Sequence, residues 1–225
     1  MENGTLTFDH PVTLVGAGAL DEAMLAEAMH HAPCLIAADG AADRLTAMGH
    51  VPNAVIGDMD SIADRLALER VTRVLSLPEQ ETTDFEKCLY MVEAPFYLAV
   101  GFTGRRLDHT FAVFDAMMRR PDRPVLLIGE EEVLALVPPV RRIEVLLGRG
   151  ARVSFVGLNE ATGTSSEGLA WSIAGLTMSM GRQVGTSNYA TEDMVGFSFD
   201  RAGVLLMLER RQLRPLIDAL ISSDE

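Results

Sequence analysis

The first half of the chain alternates short apolar runs with helical patterns, and this alternation limits the fold more than any other feature. The runs fall at 12–15, 34–38, 54–56, 73–77, 96–100 and 125–128. Between them, apolar spacing fits helices near 19–30, 41–48, 63–70, 84–92 and 109–119. Strands that alternate with helices imply βαβ units, and so a mostly parallel sheet covered by helices. After residue 129 the pattern changes. Short apolar or alternating runs at 133–137, 143–147, 152–156, 177–180, 195–199 and 204–208 are separated by glycines and polar turns. They predict an antiparallel sandwich or barrel, closed by a terminal helix near 212–221. The expected fold is thus α/β: a mostly parallel αβα domain over 1–130, then an antiparallel β-sandwich over 131–225.

A chain of 225 residues can hold one large domain or two small ones. Apolar residues make up 48 % and charged residues 23 %, the balance of a soluble globular protein. The net charge of −13 argues against broad nucleic-acid or anionic-membrane surfaces. An acidic protein that binds an anionic nucleotide needs local positive charge: a metal, arginines or helix N-termini. Cys34 and Cys88 show no metal or redox spacing and read as small buried thiols. The N-terminus lacks a basic region before an apolar segment, and no apolar run is long enough to span a bilayer. A cytoplasmic location is the expectation.

Val55-Ile56-Gly57-Asp58-Met59-Asp60-Ser61 carries the chemistry. If Val55 and Ile56 close a buried strand, Asp58 and Asp60 emerge at its carboxyl end, where open α/β sheets bind ligands. Two hard oxygen donors on a tight loop suit Mg²⁺. The same residues also make an ordinary acidic turn. Further on, Thr83-Asp84-Phe85-Glu86 has capping-box spacing, with Thr83 as N-cap and Glu86 reaching back. Phe85, Cys88, Leu89 and Val92 then form one apolar stripe, leaving Asp84 and Lys87 three residues apart on another face. Asp108 precedes a second stripe of Phe111, Phe114 and Met118, where it could simply be a helix N-cap. Asp39-Gly40 follows the second strand. Asp39 either touches a ligand or caps the next helix, and Gly40 permits close backbone approach. Gly16-Ala17-Gly18 is half of a dinucleotide fingerprint, with Asp21 where a third glycine is needed, so no NAD site is read from it.

Taken together, these blocks resemble the thiamin pyrophosphokinase family. The resemblance rests on Ala38-Asp39-Gly40-Ala41-Ala42, the 56–62 aspartate loop, Glu79 to Cys88, and Gly104-Arg105-Arg106-Leu107-Asp108-His109-Thr110. Gly168-Leu169-Ala170-Trp171 and Thr186-Ser187-Asn188 resemble the family's thiamine-side motifs. The resemblance implies transfer of the diphosphoryl group of ATP to thiamine, giving thiamine diphosphate and AMP. It implies Mg²⁺ and a homodimer whose thiamine site lies between subunits, with residues 1–130 binding ATP and 131–225 binding thiamine. Asp58, Asp60 and Asp84 would hold Mg²⁺, with Asp84 also orienting the nucleophile. Lys87 and Arg106 would offset triphosphate charge. Asp39, Gly40, Gln80, Thr83, Asp108 and His109 would line the substrate site. Trp171 would lie against a thiamine ring, and Ser187 and Asn188 would hydrogen-bond the pyrimidine. Two positions depart from the family pattern: Arg105 replaces a usual glycine, and Ala41-Ala42 leave Asp43 as the next polar group. The competing reading is a non-catalytic sensor of thiamine or a nucleotide, which has no need of three carboxylates and a lysine. A sugar-nucleotide transferase using Asp-x-Asp leaves the 83–87 block and Trp171 unexplained.

Overall fold

The structure, a computed structural model, describes residues 4–221. The chain divides into two compact units, Met1–Glu130 and Glu131–Glu225, together a mixed α/β fold.

In the first unit, β1 (Leu6–Thr7) and β2 (Val12–Val15) precede α1 (Glu22–His31), β3 (Cys34–Ala38), α2 (Ala41–Ala47) and β4 (Ala54–Gly57). Then come α3 (Arg65–Leu68), β5 (Arg73–Ser76), α4 (Asp84–Met91), β6 (Val92–Glu93), β7 (Tyr97–Val100), α5 (Leu107–Arg119) and β8 (Val125–Ile128). The strands pair in the order β8-β7-β2-β3-β4-β5, every neighbour parallel. β1 pairs separately with β6. Every residue of β2, β4, β7 and β8 is buried, which is why these strands read as continuous apolar runs rather than alternating ones. In a parallel sheet the carboxyl ends lie on one edge, so Asp39 after β3 and Asp58 after β4 emerge side by side.

Helix starts follow side-chain caps. Asp21 caps α1 by accepting from the Met24 N–H, and Asp64 caps α3 by accepting from the Ala67 N–H. Thr83 caps α4, accepting from the Glu86 N–H at 3.3 Å. Glu86 does not complete the reciprocal box; its carboxylate meets Arg119 at 3.3 Å. Phe85, Cys88, Leu89 and Val92 are buried as their spacing predicts. On α5 the reading needs correction. The helix begins at Leu107, its N-cap is Arg106, and Asp108 lies inside the first turn. Its buried face is Val113, Ala116 and Met117, while Phe111 is 48 % exposed and stacks edge-on against Phe114. Apolar spacing alone allowed two adjacent faces; packing, against α4 among others, selects one. Cys88 is buried, but Cys34 is only half-buried.

The second unit contains β9 (Glu132–Leu136), β10 (Ile143–Leu146), β11 (Arg152–Gly157), β12 (Ala161–Glu167), β13 (Thr177–Met178), β14 (Gly185–Tyr189), β15 (Met194–Phe199), β16 (Val204–Glu209) and α6 (Leu213–Ile221). One antiparallel sheet runs β14-β11-β16-β9 and another runs β10-β15-β12-β13. Phe155 on the first packs against Phe197 and Phe199 on the second, with ring centroids 5.0 and 5.7 Å apart. The apolar pattern did not reveal β12 and β14, whose sequences ATGTSSE and GTSNY are mostly polar. Hydroxyl pairs stand in for apolar contacts on β12, where Thr164 and Ser165 both meet Ser198. No helix among the described residues is long and apolar enough to cross a membrane.

Candidate active site

Two loops meet at the carboxyl ends of β3 and β4. Asp39 is buried and its Oδ1 accepts from the Met59 N–H at 3.0 Å. Gly57 makes this approach possible, since a β-carbon there would lie 2.6 Å from the Asp39 β-carbon. Around the turn, the Asp60 N–H donates to Asp58 Oδ1 at 3.2 Å and the Ser61 hydroxyl to Asp60 Oδ1 at 2.7 Å. Asp43, on the first turn of α2, accepts from the Ala63 N–H at 2.8 Å and so braces the far side of the loop. Asp39, Asp58 and Asp60 can thereby offer carboxylate oxygens within 4.8 Å of one another.

That group differs from the expected set of Asp58, Asp60 and Asp84: Asp39 joins it and Asp84 stands just outside. Asp84 opens α4, which packs on β3 and β4. Desolvation raises its pKa most; Asp39 and Asp58 push the same way, and Lys87 opposes them. Lys87 is the single lysine of the chain and is only 2 % exposed, with its Nζ 3.3 Å from Asp84 Oδ1. A cation so deeply buried needs its partner. Its position is thus not that of a solvated surface lysine. Gln80 reaches across to Asp58, its Nε2 donating to Oδ2 at 2.6 Å. This bond is the first cause of the lowered Asp58 pKa, followed by the Asp60 N–H.

The remaining expected residues of the first unit sit on neighbouring loops. Gly40 ends β3's turn against Ser61, where a β-carbon would lie 3.0 Å from the Ser61 β-carbon. Thr83 is occupied as a cap. Arg106 and Asp108 form a two-pronged pair, Nη2 to Oδ2 at 2.6 Å and Nε to Oδ1 at 3.2 Å, which holds the Asp108 carboxyl below its ordinary pKa. Both are well exposed, as is His109. The glycine loop after β2 is spent on internal bonds: the N–H groups of Gly16, Gly18 and Ala19 donate to the carbonyls of Val100, Gly101 and Thr103.

In the second unit, Trp171 is 60 % exposed, not a core tryptophan, and meets Tyr189 edge-on at 5.5 Å. Asn188 is buried. Its Oδ1 accepts from the Trp171 and Tyr189 N–H groups at 3.1 and 2.9 Å, and its Nδ2 donates to the Trp171 carbonyl at 2.7 Å. Those three bonds shape the Trp171 loop. Ser187 is exposed with φ 61° and donates its N–H to Ser154 Oγ at 3.0 Å. Gly168, at φ 68°, opens the Trp171 loop where any β-carbon would run into the Met194 carbonyl.

Sequence reasoning missed Asp39 as a member of the acidic group, and Asp43 as its brace. The available signal was a shared grammar: an apolar strand ending in Asp-Gly at 39–40, beside one ending in Gly-Asp at 57–58.

Comparison with known proteins bears on the whole chain. The catalytic-domain model of thiamin pyrophosphokinase matches residues 25–127, and the vitamin B1 binding domain model of the same family matches 141–204. Thiamine pyrophosphokinase 2 of Arabidopsis thaliana is 26 % identical over 166 residues, covering 66 % of this chain and 62 % of that protein. The chain thus spans somewhat under two thirds of that relative's length. The crystal structure of thiamin pyrophosphokinase from Geobacillus thermodenitrificans superposes with a TM-score of 0.72 at 24 % identity, covering 88 % of this chain and 96 % of that one. The yeast thiamin pyrophosphokinase structure gives 0.73 at 15 % identity, covering 97 % and 93 %. At those identities the superpositions speak for the fold.

Proposed function

We propose, from the premise that the chain belongs to the thiamin pyrophosphokinase family, that it is a thiamine diphosphokinase. The hydroxyethyl oxygen of thiamine bonds to the β-phosphorus of ATP, and its hydroxyl proton is released to solvent. The bond from that phosphorus to the α,β-bridging oxygen breaks, and AMP leaves. The observation that carries this reading is the convergence of Asp39, Asp58 and Asp60 on one point, with the buried Asp84–Lys87 pair on the helix beside them.

Three clustered carboxylates repel one another, and hard oxygen donors fit a hard divalent cation such as Mg²⁺. Asp39, Asp58 and Asp60 would hold it, with Asp84 close by. When bound, the cation neutralises charge on phosphate oxygens. The chain's own residues supply the positioning that phosphoryl-type transfer mainly requires. Gln80 fixes the orientation of Asp58. Asp84, more basic than an ordinary aspartate, accepts a hydrogen bond from the attacking hydroxyl and orients it. Lys87 holds Asp84 in place. Arg106, steered by Asp108, faces the nucleotide's negative charge, with His109 beside it. Residues 1–130 serve as the ATP-binding half and 131–225 as a thiamine-binding sandwich. Trp171 and Ser187 meet the vitamin there, in a homodimer of the cytoplasm with the thiamine site at the subunit interface.

The test is to incubate the protein with Mg-ATP and thiamine. Thiamine diphosphate and AMP should appear in equal amounts and vanish with EDTA. Binding of both substrates without AMP would make the protein a sensor instead.

A further inference from the structure

We propose that Glu79 is a positioning residue: its carboxylate ties the loop between β5 and α4 to the far end of α4 and thereby sets the Gln80 amide on Asp58. The inference rests on the reading of Asp58 as a cation-holding group.

The loop leaves β5 beside the aspartate turn, where the Leu77 N–H donates to the Gly57 carbonyl at 2.7 Å. It then has to carry Gln80 across to Asp58 and deliver Asp84 to the start of α4. Glu79 collects four donors. Its Oε2 accepts from the N–H groups of Glu81 and Thr82, at 2.9 and 3.1 Å. Its Oε1 accepts from the Thr82 hydroxyl and from the Tyr90 hydroxyl, the latter at 2.8 Å. Two oxygens with two donors each leave no lone pair aimed at a cation, so Glu79 holds structure rather than ligating.

Tyr90 is the part that gives the tie its reach. It lies six residues along α4 from Asp84, about 9 Å at 1.5 Å per residue. One end of this helix therefore carries Asp84 and Lys87, and the other end grips the loop that carries Gln80. Gln80 and Glu81 are both exposed, so no burial holds that part of the loop in place. Bonds to a half-buried carboxylate take that role.

The test compares Glu79→Ala, Tyr90→Phe and Glu79→Gln with the parent chain. The glutamine can replace every bond, its carbonyl taking the two N–H groups and its amide donating to the two hydroxyls, so it is the rescue variant. Four readouts are needed: kcat and KM in thiamine diphosphate formation, circular dichroism with thermal midpoint, hydrogen exchange over 79–84, and Mn²⁺ titration. Glu79→Ala should speed exchange in this segment and lower kcat about tenfold or more, with KM for thiamine within about twofold. Mn²⁺ binding should weaken, and the folded signal should be retained. Tyr90→Phe should do the same more weakly, and Glu79→Gln should restore most of the rate. Unchanged exchange, or faster exchange with unchanged kcat, would overturn the inference. So would a loss of rate that merely follows loss of fold and is not rescued by glutamine. If the parent chain makes no thiamine diphosphate, the proposed function fails separately. The tie is then judged by exchange and Mn²⁺ alone, and equal Mn²⁺ affinity in Glu79→Ala and parent overturns it.

Discussion

Asp39 and Met59 are joined by a single hydrogen bond, Met59 N–H to Asp39 Oδ1, and both stand in the left-handed backbone region, at φ 45° and 69°. Residues other than glycine cost about 1–3 kcal/mol each in such conformations and persist where surrounding structure holds them. Here two adjacent loops hold each other. The strain places Asp39 among Asp58 and Asp60, where three like charges converge.

Neutralising one of these charges should separate function from folding. Asp60→Asn and Asp39→Asn should each lower turnover by about a hundredfold or more. Without divalent cation the thermal midpoint should stay level or rise, because repulsion is relieved. Steady-state assays beside thermal melts in EDTA check this. Near-parental turnover in both variants would remove the acidic group from the chemistry.

Lys87→Met should leave Asp84 in its half-buried pocket without a partner. Stranding a fully buried charge costs about 3–5 kcal/mol. Asp84 keeps 36 % exposure, so about 1–2 kcal/mol is expected here. Urea unfolding of Lys87→Met, Asp84→Asn and the double variant measures the coupling, which should be clearly positive. Because Lys87 is the single lysine, an amine-acylating reagent should spare it in the native chain and modify it in urea.

Trp171→Ala should raise KM for thiamine while leaving KM for ATP nearly unchanged. Asn188→Ala should do likewise, since it releases the three bonds that shape the Trp171 loop. Trp171 is the only tryptophan, so its emission should respond to thiamine directly. Equal changes in both constants would detach Trp171 from the vitamin.

The Glu79 carboxyl is held down to about 2 from its ordinary 4.5, first by the Thr82 hydroxyl and then by Tyr90. A carboxyl lowered on folding contributes stability that is complete above 4.5 and lost as pH falls through about 2. Glu79→Gln has no such titration. The gap in urea midpoint between parent and variant should therefore be constant at neutral pH, narrow below pH 4.5 and close near pH 2. A gap independent of pH would contradict the bonding pattern.

Val140 is a β-branched residue at φ 65° and is 80 % exposed. Replacement by glycine should relieve backbone strain of about 1–2 kcal/mol against an entropic cost of about 0.5–1 kcal/mol. A rise in thermal midpoint of up to about 3 °C is expected. A fall would mean that the valine side chain makes contacts worth more than its strain.

The central parallel strands were legible because β2, β4, β7 and β8 are buried on both faces and read as unbroken apolar runs. The polar strands Ala161–Glu167 and Gly185–Tyr189 were not. Their pairing rests on backbone ladders and hydroxyl contacts, which leave no hydrophobic period. The buried face of α5 was misread because Phe111 and Val113 each begin a helically spaced stripe, and only its packing partners decide between them. That Asn188 satisfies the backbone of the Trp171 loop was not legible either, because the two stretches meet only in the folded chain.

Local grammar alone determined the alternation of strands and helices in the first half, the loop positions of Asp39 and Asp58, the place of Asp84 at a helix start, and the spacing of Asp84 and Lys87, for these depend on neighbours within a few residues. Tertiary structure decided which carboxyl groups share one volume, how deeply Lys87 sinks, and that Glu79 answers to Tyr90. Those outcomes depend on strand β3 lying beside β4 and on turns forced into left-handed geometry, and such long-range pairing leaves no periodic trace in the chain.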